Sequence, residues 1–290
     1  MLNTNLFTIF AFLTLPSFAA AGDRSLLLDG IRIHISESGK GPTVVFESGM
    51  GEDVSTWNDV RPFIAEFAHT LAYDRPGIGQ SEATSRPRTV VQMAADLDAV
   101  LKATNLKPPY ILVGHSLGGA IVQVFAHRHS KEVAGLVLVD PEDGRLIHLL
   151  HSRMSATDWA ARQKALDEAI PNMPPPIRAE LNAANESGEA VAEAVPLPKV
   201  PIVMLSGTKK NPEFPGNPLE QDLKLELQNS LLAKTPGAKH ILVSNSRHYI
   251  QNDSPKLVVE AVREVVTKSN PNRSKVQKEA LSASRRQRSK

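Results

Sequence analysis

The 290-residue chain contains no cysteine. Disulfide staples, a thiol nucleophile, iron–sulfur clusters and cysteine-ligated zinc are therefore excluded. No Gly-x-Gly-x-x-Gly and no phosphate-loop lysine follows an apolar strand, so the chain encodes neither dinucleotide nor nucleotide-phosphate recognition. No cluster has metal-ligand spacing: His148 and His151 stand three apart, and no carboxylate is spaced to join them. Internal repeats are absent. Hydrophobic residues make up 41% and charged residues 22%, the balance of a soluble globular chain rather than a disordered or fibrous one. The length suits one sizeable α/β domain and is short for two.

The two ends depart from the middle. Residues 6–15 form an apolar run of about ten residues, too short to span a bilayer, and Ser17-Phe18-Ala19-Ala20-Ala21-Gly22 follows. This pattern reads as a secretory signal over residues 1–21, cleaved after Ala21. No Lys or Arg precedes Arg24, so the free amine supplies the positive charge of the signal. Export to the periplasm or beyond is the expected location, with no transmembrane segment after cleavage. From Lys268 onward eight Lys or Arg face a single acidic residue, Glu279. Residues 269–290 read as a solvated basic tail able to touch anionic surfaces. The remaining chain is net acidic, and nucleic acid is not an expected partner of the core domain, residues 22–268.

Within that domain the apolar runs are short. Residues 25–28 and 31–35 flank Asp29-Gly30, the signature of a β-hairpin. Further runs end at Glu47-Ser48-Gly49, Asp74-Arg75-Pro76-Gly77, Gly114, Asp140, Ser206-Gly207 and Ser244. Helical spacing appears between them, over residues 91–104, 120–129 and 255–268. Strands apolar on both faces and alternating with helices imply a mostly parallel sheet with helices on both sides, preceded by an N-terminal hairpin. Residues 141–198 break the alternation. Two helices are expected there, over 155–169 and 176–194, with Thr157-Asp158 as a cap and Pro174-Pro175-Pro176 as the joint. This insertion follows a strand's C-terminal end, where α/β sheets bind ligands, and reads as a small helical lid.

Gly114-His115-Ser116-Leu117-Gly118 lies between an apolar run and a helical pattern. A sharp strand-to-helix turn at this pentapeptide would hold Ser116 in strained backbone with small neighbours, above a helix N-terminus that favours developing negative charge. Ser116 is the expected nucleophile, and His115 a packed spacer.

Together with Glu47-Ser48-Gly49-Met50-Gly51, the run Tyr73-Asp74-Arg75-Pro76-Gly77-Ile78-Gly79-Gln80-Ser81, and Ser246-Arg247-His248-Tyr249-Ile250, the pentapeptide resembles the α/β-hydrolase fold superfamily in its esterase, lipase and haloperoxidase-like branch. The resemblance runs from about Leu27 to Val266. It implies the α/β-hydrolase fold and a catalytic base at His248, in the loop after the last strand. The commoner position for the acid, after residues 201–205, holds Ser206-Gly207-Thr208-Lys209-Lys210-Asn211-Pro212-Glu213 and no Asp. Some members carry the acid one strand earlier, where Asp140 stands; Glu213 is the alternative. The oxyanion donors implied are the backbone N–H groups of Met50 and Leu117. The Asp74–Gly77 segment reads as a structural turn.

The implied activity is hydrolysis of a small carboxylic ester through an acyl-enzyme, with neither cofactor nor metal. Two rivals stand beside it. One is hydrolysis of an amide, lactone or C–C bond, and the other is a non-catalytic binding protein on the same fold.

Overall fold

The computed structural model of the protein describes residues 22–209 and 217–269. The expected signal, the basic tail beyond Ser269 and Glu213 lie outside the described residues. One eight-stranded sheet organises the chain. Its strands are β1 (Gly22–Leu28), β2 (Ile31–Gly39), β3 (Thr43–Glu47), β4 (His69–Tyr73), β5 (Tyr110–His115), β6 (Val133–Val139), β7 (Ile202–Gly207) and β8 (Lys239–Val243). Their spatial order is β1-β2-β4-β3-β5-β6-β7-β8. β1 pairs antiparallel with β2 through the turn at Asp29 (φ 49°) and Gly30 (φ 84°), which has the left-handed pair of dihedrals a two-residue hairpin requires. β2 also meets β4 antiparallel, and every later pairing is parallel.

Helices cover both faces: α1 (Arg61–Ala65), α2 (Val90–Ala103), α3 (Leu117–Arg128), α4 (Arg145–Arg153), α5 (Ala156–Ala169), α6 (Pro175–Glu186), α7 (Gly188–Glu193), α8 (Asn217–Ala233), α9 (Ile250–Asp253) and α10 (Pro255–Ser269). The two-residue period of the strands divides the core between them. Val45, Leu112, Leu136, Leu138 and Met204 pack toward α2 and α3. Their neighbours Val44, Phe46, Ile111, Val113, Val137, Val139, Val203 and Leu205 pack toward α1 and α10. Both faces of the central strands are dry, which is why these runs are apolar without alternation.

Residues 141–198 hold four α-helices, α4 to α7, rather than the two expected. The residues expected as one helix over 176–194 are split at Ser187-Gly188, where the Ser187 hydroxyl donates to the Ala184 carbonyl at 2.7 Å and competes with the helical ladder. The cap of α5 is Ser155, whose hydroxyl oxygen accepts from Asp158 N at 3.1 Å, not Thr157-Asp158. α4 and α8 form a separate apolar cluster through Leu146, Leu150, Leu223 and Leu227. Among the described residues no helix is long and apolar enough to cross a membrane.

Candidate active site

β5 delivers the chain to Ser116, and α3 begins one residue later. Ser116 has φ 52° and ψ −120°, a conformation that side-chain-bearing residues avoid and that typically costs about 1–3 kcal/mol. The surrounding packing imposes it. Ser116 N donates to Val139 O on the neighbouring strand at 3.1 Å, while its carbonyl accepts from Gly119 N at 2.8 Å and Glu142 N at 2.9 Å. Only glycine fits the flanking positions. A Cβ on Gly114 would lie 2.5 Å from Gly118 O, and one on Gly118 would lie 2.2 Å from Glu47 O. No side chain caps α3, so no side chain competes for the Leu117 N–H at the positive end of the helix dipole.

Asp140 directly follows β6 and also has positive φ, 45°. Its N–H bonds Leu205 O at 2.8 Å, which turns the carboxylate back across the end of the sheet. Oδ2 accepts from His248 Nδ1 at 2.7 Å and from Lys224 Nζ of α8. Oδ1 accepts from Gly207 N at 3.3 Å. Burial would raise this carboxyl, but the charge of Lys224 and the bond from His248 overcome it and hold the group at about 2. It is therefore ionised at neutral pH. Burial pushes His248 below the ordinary imidazole range, against the pull of Asp140. With Nδ1 committed to Asp140, Nε2 is the nitrogen left for proton exchange.

His115 is fully buried and packs its ring 4.7 Å from that of His248. Its Nε2 donates to the His248 carbonyl at 3.1 Å, and its Nδ1 lies 3.0 Å from Glu52 Oε2. The spacer is thus also a brace for the loop that carries His248.

Ser116, Met50 and Leu117 line one cavity of about 190 Å³, closed by Leu146, Ile147 and Leu150 of α4 and by Leu181 of α6. Its polar lining includes Glu142, Asn185 and the Arg162–Glu220 pair, which meets at 3.1 Å. Burial raises Glu142 to about 7 despite the nearby charge of Lys224.

Arg75, expected to be part of a structural turn, holds the loop after β3. All five of its N–H groups are used. Nε and Nη2 grip Glu180 of α6 at 2.7 and 2.8 Å. Nη1 donates to Glu47 Oε1 at 2.9 Å and to Ser48 O at 2.6 Å, and Nη2 donates to Gly49 O at 2.6 Å. Glu180 also accepts from Gly51 N at 2.9 Å. Burial would raise Glu180, but Arg75 holds it below the ordinary carboxylate value. No short-range pattern signals this network, since Arg75 and Glu180 are 105 positions apart.

The structure therefore joins Asp140 to His248 and gathers Ser116, Met50 and Leu117 around one cavity. Asp98, His129 and Glu132 bring their ligand atoms within 4.8 Å of one another away from this cavity, but Lys102 already occupies Asp98 at 2.6 Å.

Residues 42–187 match the family model of the alpha/beta hydrolase fold, and the chain belongs to that family. It is 28% identical over 245 residues to the uncharacterised protein YqjL of Bacillus subtilis (strain 168), covering 84% of this chain and 91% of that one. Among solved structures it resembles the lipase candidate Lip1 of Acinetobacter baumannii AYE, with a TM-score of 0.69, 21% identity, and 87% and 93% of the two chains covered. A thermophilic esterase from Thermogutta terrifontis gives a TM-score of 0.63 at 19% identity, covering 86% and 99%.

Proposed function

We propose that the protein is an exported serine hydrolase that cleaves small carboxylic esters. The observation that carries this reading is the strained Ser116, which opens onto a cavity beyond the C-terminal end of β5, with the Asp140–His248 pair held beyond the ends of β6 and β8. In the first step His248 Nε2 takes the Ser116 proton as Oγ attacks the ester carbonyl carbon. The N–H groups of Met50 and Leu117 receive the oxyanion. The tetrahedral intermediate collapses, and His248 protonates the departing alkoxide. Water, deprotonated by His248, then attacks the acyl-enzyme and frees the acid and Ser116. Asp140 holds the imidazole in the required tautomer and stabilises the imidazolium of each transition state. The cavity of about 190 Å³ is small beside the roughly 300–1,000 Å³ of ordinary ligand pockets, which favours short acyl chains. Residues 1–21 direct export, and the mature protein would begin at Gly22.

The test uses a fluorophosphonate probe with a panel of p-nitrophenyl esters from acetyl to octanoyl, together with a lactone and an anilide. Wild-type protein is expected to label and to prefer acetyl to butyryl esters, and Ser116→Ala to do neither. A folded wild type that neither labels nor turns over any member sinks the proposal in favour of a binding protein. Turnover of the lactone or anilide alone reassigns the bond. N-terminal sequencing of the exported protein checks the cleavage site.

A further inference from the structure

We propose that Arg75, gripped by Glu180 of α6, is the positioning residue of the oxyanion hole, so that the inserted helices help to set the strength of the Met50 N–H donor. The inference rests on the active-site reading above. Its starting point is the shape of a peptide group. In a planar trans peptide the carbonyl and the N–H point in opposite directions. The carbonyl of the Gly49–Met50 peptide is Gly49 O, and the N–H is that of Met50. Gly49 O accepts from Arg75 Nη2 at 2.6 Å and from Glu52 N at 3.2 Å. Pinning the oxygen on one side aims the N–H to the other.

The following peptide is pinned as well. Its N–H, that of Gly51, donates to Glu180 Oε2 at 2.9 Å. Both peptide planes that meet at the Met50 Cα are therefore fixed by the same Arg75–Glu180 pair. Among the described residues the Met50 N–H itself has no bonded acceptor, as a donor reserved for a reaction intermediate requires.

The bond from Arg75 also carries charge. A guanidinium donating to a carbonyl polarises the whole amide and makes its N–H a stronger donor, and the effect is largest where water is excluded. Arg75 is 1% exposed and Glu180 is fully buried. Glu47, at 2.9 Å from Nη1, completes the cradle that keeps the guanidinium plane fixed. Lysine could supply the charge but not the five-donor fork. The substrate side of the oxyanion hole is thus built from the β3 loop, while its orientation is held from β4 and α6.

The test uses Glu180→Gln, which keeps shape but removes the carboxylate, and Arg75→Lys as a second variant should the first not fold. Folding is checked by circular dichroism. Four quantities are measured: kcat and KM on p-nitrophenyl acetate, inhibition by a methyl trifluoromethyl ketone, which forms an oxyanion on Ser116, and inhibition by the matching alcohol, which forms none. The expected result is a fall in kcat of about 10- to 100-fold with KM and alcohol binding nearly unchanged, and ketone binding weakened in step with kcat. A folded variant with kcat within twofold of wild type overturns the inference. So does a variant in which alcohol binding weakens as much as ketone binding. An inactive, unlabelled wild type would instead remove the active-site reading itself, so the two failures are distinguishable.

Discussion

Lys224 and His248 share one oxygen of Asp140, with Nζ and Nδ1 both donating to Oδ2. A cation that competes with the proposed base for its carboxylate weakens the support that carboxylate gives to an imidazolium. Lys224 therefore acts against protonation of His248. Glu142, Glu220, His115, Glu52 and Tyr249 are among the other charged or titratable groups around the pair.

The sign of a Lys224→Met change follows. A general base works when neutral, so the acid limb of kcat/KM tracks its pKa in the free enzyme. Removing Lys224 raises the His248 pKa and moves that limb to higher pH. A pH profile on p-nitrophenyl acetate checks this. A limb that stays in place or moves to lower pH contradicts the shared-oxygen account.

Asp140→Asn should lower kcat by about 10³- to 10⁴-fold, because an amide neither holds the tautomer nor stabilises the imidazolium. Glu213→Gln should leave kcat within twofold. Steady-state kinetics of both variants on a short-chain aryl ester decide between the two acids, and full activity in Asp140→Asn removes Asp140 from the mechanism.

Glu142→Gln bears on stability. The folded-state pKa of Glu142, about 7, lies above the ordinary value of 4.5, so folding holds a proton that the unfolded chain releases. Its contribution is fully present below pH 4.5 and declines as pH rises to 7, leaving a constant cost at higher pH. The variant is free of that cost. Its advantage over wild type should be near zero at pH 4 and grow to on the order of 1–2 kcal/mol by pH 8, reduced by the water that reaches the cavity. Urea unfolding at pH 4, 6 and 8 reads the difference, and an advantage independent of pH refutes it.

Gly118→Ala should destabilise the fold by about 2–3 kcal/mol, since its Cβ would stand 2.2 Å from Glu47 O and 2.6 Å from Ser48 O, both backbone atoms. Gly22→Ala, with nothing within 4 Å, is the matched control and should change stability by less than about 0.5 kcal/mol. Equal midpoints for the two variants in urea would mean that the loop after β3 yields to α3 more easily than its packing implies.

What was legible in the sequence is what short range encodes. The turn at Ser116 shows because its glycines and its change of period lie within a few residues. Asp140 and His248 stand out only through the family resemblance, which places an acid and a base after apolar strand runs. The Arg75–Glu180 grip does not, since it joins β4's end to α6 across 105 positions, and an arginine in a turn looks the same whether or not a buried carboxylate meets it. α8 was also not evident. The parallel pair β7 and β8 requires a crossover between them, but Leu223 and Leu227 turn to Leu146 and Leu150 of α4 while Leu231 joins the main core, so the segment shows no single sheet-facing apolar stripe. Ser187 was hidden for a similar reason: a hydroxyl in a helical stretch is ordinary until it turns onto the carbonyl of Ala184.

The distance along the chain from Asp140 to His248 is 108 positions. During synthesis Ser116 leaves the ribosome first, followed by its carboxylate and then the helices that close the cavity, while the imidazole comes nearly last. A polypeptide halted anywhere between Ser116 and His248 carries the proposed nucleophile without its base. Prematurely terminated copies would therefore be chemically silent, and hydrolysis would report only chains completed through β8 and the loop beyond it.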